Sequence, residues 1–168
     1  MLRPYQQQAI VTVKQHWLAG HRAVVLVMPV GGGKTRVAEH LMVNVLDKSW
    51  AQIFFIAHTE QLIDQPAQRF QDRRIAHAFV KAGRKADSTA QVQFCSDATM
   101  VRRDFDVAIG ADGKPHTRAV VVVDEAHRVR SATYLQILTK LSRKFQFVYL
   151  LLLTGTPYRL DGRGLADV

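Results

Sequence analysis

Residues 29–35 read Pro-Val-Gly-Gly-Gly-Lys-Thr, and they follow directly on the apolar run Ala-Val-Val-Leu-Val-Met at residues 23–28. A continuous apolar run of this length is typical of a β-strand that is buried on both faces. After the glycines, apolar residues recur at helical spacing at Val37, Leu41 and Val45. The pattern predicts a strand, a glycine-rich turn and an α-helix in immediate succession.

The turn has the composition of an anion-binding loop. Consecutive glycines allow backbone N–H groups to converge on one point, and they let the chain approach an anion closely. The N-terminus of the following helix adds partial positive charge, Lys34 would reach the outer phosphates of a nucleotide, and the Thr35 hydroxyl would ligate Mg²⁺. The strict pattern G-x-x-x-x-G-K-[ST] is not met, because its first position is Met28. The alternative is a glycine-rich strand-to-helix turn with a solvent-facing lysine.

A second set of candidate residues follows another apolar run. Residues 119–123 read Ala-Val-Val-Val-Val, and the sequence Asp-Glu-Ala-His occupies residues 124–127. In a doubly wound sheet the carboxyl ends of the strands meet at the ligand crevice, so these acids are expected close to Lys34. Adjacent acids diverge at a strand end, which leaves one for Mg²⁺ and the other for water. Taken alone, two acids after a strand are more often part of a solvated loop.

The remaining periodicity predicts an α/β fold. Helices are expected from Pro4 to near Gly20, from Thr59 onward, and after the N-cap residue Ser131. Pro66 is expected to kink the second of these helices or to end it early. Strands that alternate with helices predict a single domain over residues 1–168, with a mostly parallel sheet covered by helices on both faces. Four further stretches are the strand candidates: residues 53–57, 75–80, 92–95 and 147–153.

Composition excludes several classes of protein. The chain has 168 residues, of which 48% are hydrophobic and 22% charged, as in an ordinary globular domain. The single cysteine, Cys95, excludes an internal disulfide and a zinc site built on several thiolates. The longest apolar run is far shorter than the ~20 residues that a membrane span needs. Because the N-terminus also lacks the apolar core of a secretory signal, we expect a cytoplasmic protein without a membrane partner.

The charge balance points to an acidic polymer as a partner. Lysine and arginine together number 23 against 14 acidic residues, which gives a formal net charge of +9. Eight basic residues and three acids lie between residues 69 and 103. This segment predicts a surface that follows a nucleic-acid backbone. The alternative is a solvated face with no partner. Few aromatic residues interleave with the segment, so contacts to phosphate and sugar are expected rather than base stacking.

Together the motifs resemble those of the DEAD/DEAH-box helicases and translocases of superfamily 2, in their N-terminal RecA-like ATP-binding domain. The Asp-Glu-Ala-His sequence with its upstream Gly-Lys-Thr loop carries this resemblance, and the RadD-like and type III restriction enzyme (ResIII-like) group is the most similar. In this superfamily the first position of the phosphate loop is commonly not glycine. Four further stretches are similar to family motifs, in the expected order: residues 3–6 to the adenine-reading motif, 57–65 to motif Ia, 92–103 to motif Ib and 153–159 to motif III.

The resemblance implies a role for each matching residue. ATP would be held by Arg3, Gln6, Gly31, Gly32, Gly33, Lys34 and Thr35, and Mg²⁺ by Thr35 and Asp124. Catalysis would involve Lys34, Asp124, Glu125 and His127. Among these, Glu125 would orient or deprotonate the attacking water. Coupling of nucleotide state to nucleic acid would pass through His127, Thr154 and Thr156. Nucleic acid would be contacted by His58, Ser96, Thr99, Arg102 and Arg103.

Superfamily 2 enzymes hydrolyse ATP between two RecA-like domains, and by this resemblance these 168 residues are expected to correspond to the first alone. The resemblance therefore implies the ATP-binding half of an ATP-dependent helicase or translocase, with DNA favoured over RNA. Alone it is expected to bind ATP–Mg²⁺ and nucleic acid weakly and to turn ATP over poorly. Val30, Ala98 and Gly155 depart from the family pattern and leave open a non-motor nucleic-acid-binding fragment or a degenerate remnant. A small-molecule kinase is another alternative, although it would not need residues 154–157.

Overall fold

The computed structural model describes residues 2–84, 89–129 and 131–155. Within these residues the strands and helices alternate along most of the chain. In chain order the elements are α1 (Pro4–Leu18), β1 (Ala23–Val27), α2 (Lys34–Asp47), β2 (Gln52–Ala57), α3 (Glu60–Asp72), β3 (Ala78–Val80), β4 (Val92–Ser96), α4 (Asp97–Met100), β5 (Arg118–Asp124), a 3₁₀ turn (Ala126–Arg128), α5 (Ala132–Lys144) and β6 (Phe147–Thr154).

The described strands form one parallel sheet in the order β1-β6-β5-β2-β4-β3. The predicted α/β class is therefore confirmed, and so is the parallel sheet with helices on both faces. Strands β2 and β5 lie at the centre, and every residue of β2 is buried. This burial on both faces explains why these strands are continuous apolar runs in the sequence rather than alternating ones.

Two apolar layers cover the two faces of the sheet. One layer contains residues from α1, α2 and α3 together with Ile53 and Phe55 of β2. The other contains residues from α5 together with Phe54 and Ile56 of the same strand. Successive side chains of a strand point to opposite faces, so a single strand contributes to both layers. The start of α5 is capped as predicted, because Ser131 Oγ accepts a hydrogen bond from the Tyr134 backbone N–H at 3.5 Å.

Three local predictions need correction. The β1 strand is not buried on both faces: Val27 is 45% exposed, because β1 lies at an edge of the described sheet and pairs with β6 alone. Helix α3 continues through Pro66 to Asp72 rather than ending early, since Ile63, Ala67 and Phe70 hold its apolar face on the sheet. The strand candidate at residues 75–80 is shorter than predicted and covers Ala78–Val80.

The strand register brings the candidate residues to one edge of the sheet. Val27, the last residue of β1, is level with Thr154, and Leu153 is level with Asp124 at the end of β5. On the other side of β5, Ala57 at the end of β2 is level with Ser96. The loop after β1 therefore lies at the same edge as the ends of β6, β5, β2 and β4. Within the described part of the chain, no helix has the length and apolar character that crossing a membrane requires.

Candidate functional site

The glycine loop has backbone conformations that favour glycine. Gly31 and Gly33 have φ values of 78° and 86°, in the left-handed region, and the Gly32 N–H donates to the Pro29 carbonyl at 2.9 Å. Gly33 is also crowded, because a Cβ atom there would lie 2.3 Å from Gln6 Nε2, whereas one on Gly31 would have nothing within 4 Å. Gly33 is thus required for two separate reasons, its dihedral angle and its neighbour.

The start of α1 is fastened to this loop. Gln6 is 5% exposed. Its Nε2 donates to the Gly32 carbonyl at 3.0 Å, and its Oε1 accepts from the Arg3 backbone N–H at 2.9 Å. The Tyr5 hydroxyl donates to the same Gly32 carbonyl at 3.1 Å, a contact that sequence analysis did not anticipate. The Arg3 guanidinium lies near this hydroxyl, at 3.4 Å. The two residues assigned by resemblance to adenine recognition therefore lie beside the predicted phosphate loop, over 25 residues away in sequence.

Lys34 is the first residue of α2 and follows the glycine loop directly. Its Nζ is 3.5 Å from the Met28 carbonyl, which it approaches as a donor, and a Cβ atom built on Gly155 would lie 3.6 Å from it. Within the described residues it forms no ion pair closer than 4.0 Å. The ammonium group is therefore close to the ends of β1 and β6 without being neutralised by a contacting carboxylate.

Asp124 and Glu125 differ sharply in their surroundings. Asp124 is 6% exposed, and burial raises the pKa of its carboxyl group, an effect that the Glu125 N–H and the charge of Lys34 oppose. Its Oδ1 accepts from the Glu125 backbone N–H at 3.0 Å. Glu125 has a left-handed φ of 59°, and its side chain is 50% exposed. The two adjacent carboxylates thus diverge as expected, one into the sheet edge and one toward solvent. His127 Nε2 lies 3.5 Å from Glu125 Oε2.

The end of β6 is hydrogen-bonded to the beginning of the glycine loop. The Met28 N–H donates to the Thr154 carbonyl at 3.0 Å, which fastens the beginning of the glycine loop to β6. Thr154 itself is buried. A methyl group on Gly155 would meet Lys34, Val30 and Met28 at 3.6–3.8 Å, which is ordinary van der Waals contact. Thr156, the other residue predicted to couple the two sites, lies outside the described residues.

Three of the residues predicted to contact nucleic acid, His58, Ser96 and Thr99, lie at or just after the ends of β2 and β4. His58 follows β2, and its Nδ1 lies 3.0 Å from Asp97 Oδ2. Asp97 is 4% exposed, and its Oδ1 also accepts from the Ala98 N–H at 2.6 Å. This aspartate is not among the residues predicted from the sequence, although an acid directly after a buried strand was the signal that identified Asp124. Ser96 and Thr99 flank it and are partly exposed.

Comparison with known proteins identifies the family. The model of the family described as "Type III restriction enzyme, res subunit" matches residues 1–159. The chain belongs to this family. Its predicted membership of superfamily 2, in the ResIII-like group, is thereby confirmed. The type I restriction enzyme EcoKI endonuclease subunit of Escherichia coli K12 is 26% identical over 137 residues, which are 76% of this chain and 12% of that protein.

Solved structures share the fold of this res-family domain. The Hef helicase domain of Pyrococcus furiosus superposes with a TM-score of 0.71 at 21% identity, over 94% of this chain and 33% of that one. The type ISP restriction-modification enzyme LlaGI, solved with a DNA substrate mimic, superposes with a TM-score of 0.70 at 17% identity, over 99% of this chain and 18% of that one. The UvsW helicase of bacteriophage T4 superposes with a TM-score of 0.66 at 19% identity, over 92% of this chain and 52% of that one. The chain thus spans about one eighth of its curated relative, and the matches indicate a domain of the kind found in helicases and restriction enzymes.

The basic segment of this res-family domain is only partly available to a ligand. Arg69 is paired with the buried Glu39, and Lys81, which is 8% exposed, contacts Asp64 at 2.7 Å. These two cations of the segment therefore already pair with carboxylates of the domain, and contact of the segment with nucleic acid stays a prediction. Four other arginines of the segment, Arg73, Arg74, Arg84 and Arg102, are exposed. Arg103 is partly exposed, and its Nη1 donates to the Arg84 carbonyl at 3.0 Å.

Proposed function

We propose that this domain binds ATP–Mg²⁺ and nucleic acid as the first RecA-like half of an ATP-dependent helicase or translocase. The observation that carries the proposal is the meeting of Lys34, Gln6 and Asp124 around a glycine loop at one sheet edge. Membership of the res-subunit family supports it independently.

The residues present fit a magnesium nucleotide. A hydroxyl and a carboxylate are hard oxygen donors, which Mg²⁺ prefers, and it usually takes one or two carboxylates together with substrate phosphates. Thr35 and Asp124 would hold the ion, which neutralises phosphate charge when bound. Gln6 Nε2 occupies the space that a Cβ at Gly33 would fill and donates to the Gly32 carbonyl. Gln6 and Arg3 would therefore contact the adenine from a position beside the loop whose backbone would bind the phosphates.

Glu125 and His127 would act on the attacking water. Glu125 is half exposed at the mouth of the site, so its carboxylate is free to orient a water molecule or accept its proton. His127, 3.5 Å away, would restrain that carboxylate and carry the state of the site onward with Thr154 and Thr156. Catalysis of this type rests on positioning and charge stabilisation. A second RecA-like domain, in cis or in trans, would complete it, and the isolated domain is expected to turn ATP over slowly.

Nucleic acid would bind beside the ATP site, along the ends of β2 and β4. His58, Ser96 and Thr99 lie there, and Arg102 and Arg103 follow directly. Contacts of this kind go to the phosphate–sugar backbone, so binding is expected to be tolerant of sequence and to weaken steeply with salt. DNA is the favoured polymer, by similarity to restriction enzymes.

The nucleotide part is tested by thermal denaturation with and without ATP–Mg²⁺. Saturating nucleotide is expected to raise Tm, since a ligand at about 100 times its Kd stabilises by ~2.7 kcal/mol. Lys34→Ala should abolish the shift. The matched control, Lys114→Ala, removes an exposed lysine on the loop before β5, at the opposite end of the sheet, and should keep it. Nucleic-acid binding with no nucleotide-dependent shift in the wild-type chain would favour the non-motor fragment instead.

The nucleic-acid part is tested by fluorescence anisotropy with single-stranded DNA, duplex DNA and RNA at several salt concentrations. Arg102→Ala and Arg103→Ala are each expected to weaken binding to every sequence and to flatten the salt slope. Arg143→Ala, which removes an exposed arginine near the end of α5, is the control. Equal effects of all three variants would contradict the assigned surface. Tighter binding of RNA than of DNA would overturn the DNA preference alone.

A further inference from the structure

A recess lies at the amino ends of the strands, opposite the glycine loop. Its cavity has a volume of about 370 Å³, and its walls include Trp17 at the end of α1, Trp50 just before β2, and Tyr149 of β6. We call this the aromatic recess. None of the predicted ATP or nucleic-acid residues lines it. Its lining therefore requires a separate explanation.

The three rings form a fixed apolar wall. Their centroids are 5.4–6.4 Å apart in edge-to-face arrangements, the geometry that aromatic pairs prefer. The Arg22 guanidinium lies 4.7 Å from the centre of the Tyr149 ring and covers one of its faces. Base stacking needs open ring faces presented in succession. This wall presents edges and a partly covered face, so it suits an inserted side chain better than a stacked base.

The rim of the recess is positively charged. Lys14, Lys48 and Arg118 line it together with the rings, and its lining includes no carboxylate. Within the described residues none of the three forms an ion pair. A second depression of about 660 Å³ adjoins the first, since both share Lys48, Trp50 and Arg118, and it adds Lys114 together with one carboxylate, Asp112. The occupant therefore needs an apolar group for the recess and negative charge extending along its rim.

We infer that the aromatic recess is a docking site for an acidic peptide segment of a partner protein. One aromatic or large aliphatic side chain of the peptide occupies the recess and packs against the wall formed by Trp17, Trp50 and Tyr149. Its flanking carboxylates lie on Lys14, Lys48 and Arg118, and the chain continues toward Lys114. A buried anchor side chain surrounded by complementary charge is the usual source of affinity in such interfaces. The inference stands whether or not the proposed ATP site is correct, because the two sites share no residue.

The intrinsic fluorescence of the protein provides the measurement. The chain contains two tryptophans, and both line the recess. The probes are short peptides rich in Asp and Glu with one central Phe or Leu, none of which adds tryptophan signal. Titration should change the emission saturably, with a Kd below about 1 mM. Replacing the central residue by Ala, or the acids by Asn and Gln, should weaken binding by about tenfold or more.

Charge reversal locates the binding. Lys48→Glu and Arg118→Glu should each raise the Kd of the peptide by about tenfold or more, because each reverses a charge on the rim. Lys34→Ala, at the opposite end of the sheet, should leave the Kd of the peptide unchanged. Circular dichroism confirms that each variant is folded. The inference is overturned if no peptide changes the emission, if neutral peptides bind equally, or if Lys34→Ala has the same effect as the rim variants. It is also overturned if a single-stranded oligonucleotide binds more tightly than the acidic peptides do and if Lys48→Glu abolishes binding of the oligonucleotide.

Discussion

Asp124 is a carboxylate that the fold buries at the end of a central strand, and burial raises the pKa of this group above its ordinary value of 3.8. A carboxyl group whose pKa rises on folding binds protons more readily in the folded state. It therefore costs stability at any pH above its ordinary value, and this cost disappears at pH values below it. The site is maintained at the expense of stability, as is common where a charged group serves a ligand.

Asp124→Asn should therefore stabilise the free domain at neutral pH, by the ~0.5–2 kcal/mol that such substitutions usually recover. Asn retains an oxygen that accepts the Glu125 N–H. The gain in Tm should shrink as pH falls from 7 toward 4, since the wild-type carboxyl becomes protonated there. Denaturation curves across this range measure it. A gain that is constant with pH, or a loss at neutral pH, would show that burial of the charge is not what limits stability here.

The loop glycines allow the dihedral and steric requirements to be separated. Gly31→Ala should cost about 1–2 kcal/mol, because alanine is strained at a left-handed φ. Gly33→Ala should cost a further ~0.5–1.5 kcal/mol, because the new methyl displaces Gln6 from the Gly32 carbonyl. In a Gln6→Ala background the two substitutions should cost the same. Urea denaturation of the six proteins tests this, and a difference that persists in that background would contradict the steric explanation.

At the scale of elements, one ion pair joins α2 to α3. Glu39 is 1% exposed, and burial raises the pKa of its carboxyl group even though Arg69, whose side chain is 40% exposed, forms a hydrogen bond to it. Breaking a buried pair leaves a charge without compensation, which costs more than the intact pair contributes. This arginine thus links α3 to α2 through a buried carboxylate.

Arg69→Ala is expected to lower the free energy of unfolding by about 1–3 kcal/mol at neutral pH. Without the arginine the pKa of Glu39 rises further above its ordinary value of 4.5, so the loss should diminish as pH falls toward that value. Glu39→Gln introduced together with Arg69→Ala should recover most of the stability. Arg143→Ala, the exposed control, should have no effect. A loss that is independent of pH and of Glu39→Gln would indicate missing packing rather than a stranded charge.

Most elements were predictable because the signals that specify them are local. Apolar runs identified β2, β5 and β6, and Ser131 marked the start of α5. The errors arose where tertiary context decides. Pro66 removes one helical N–H, but the apolar face of α3 packed on the sheet outweighs that local loss. The exposure of β1 depends on its edge position, which the composition of the strand does not reveal.

Across the whole molecule, the candidate site was predictable as a place but not as a set of contacts. Lys34 and Asp124 are 90 residues apart, and parallel topology brings the ends of their strands to one edge. The contacts of Tyr5 with Gly32, and of His58 with Asp97, depend on strand register and side-chain rotamers, so the sequence did not predict them. Only the position of Asp97, an acid directly after a buried strand, was visible in the sequence. The aromatic recess was missed for the same reason: its rings come from three separate segments.

The two apolar layers share the central strands, so the molecule should unfold as one unit. Ile63 of α3 and Ile137 of α5 are both fully buried, one in each layer. Ile63→Val and Ile137→Val should each lower the free energy of unfolding by about 0.5–1.5 kcal/mol. Because the two residues belong to different apolar layers, the effects should add in the double variant. Near-UV and far-UV circular dichroism in urea should give coincident transitions for all three variants and the wild type. Separate transitions, or a variant that shifts only one spectral signal, would mean that the layers fold independently on either side of the sheet.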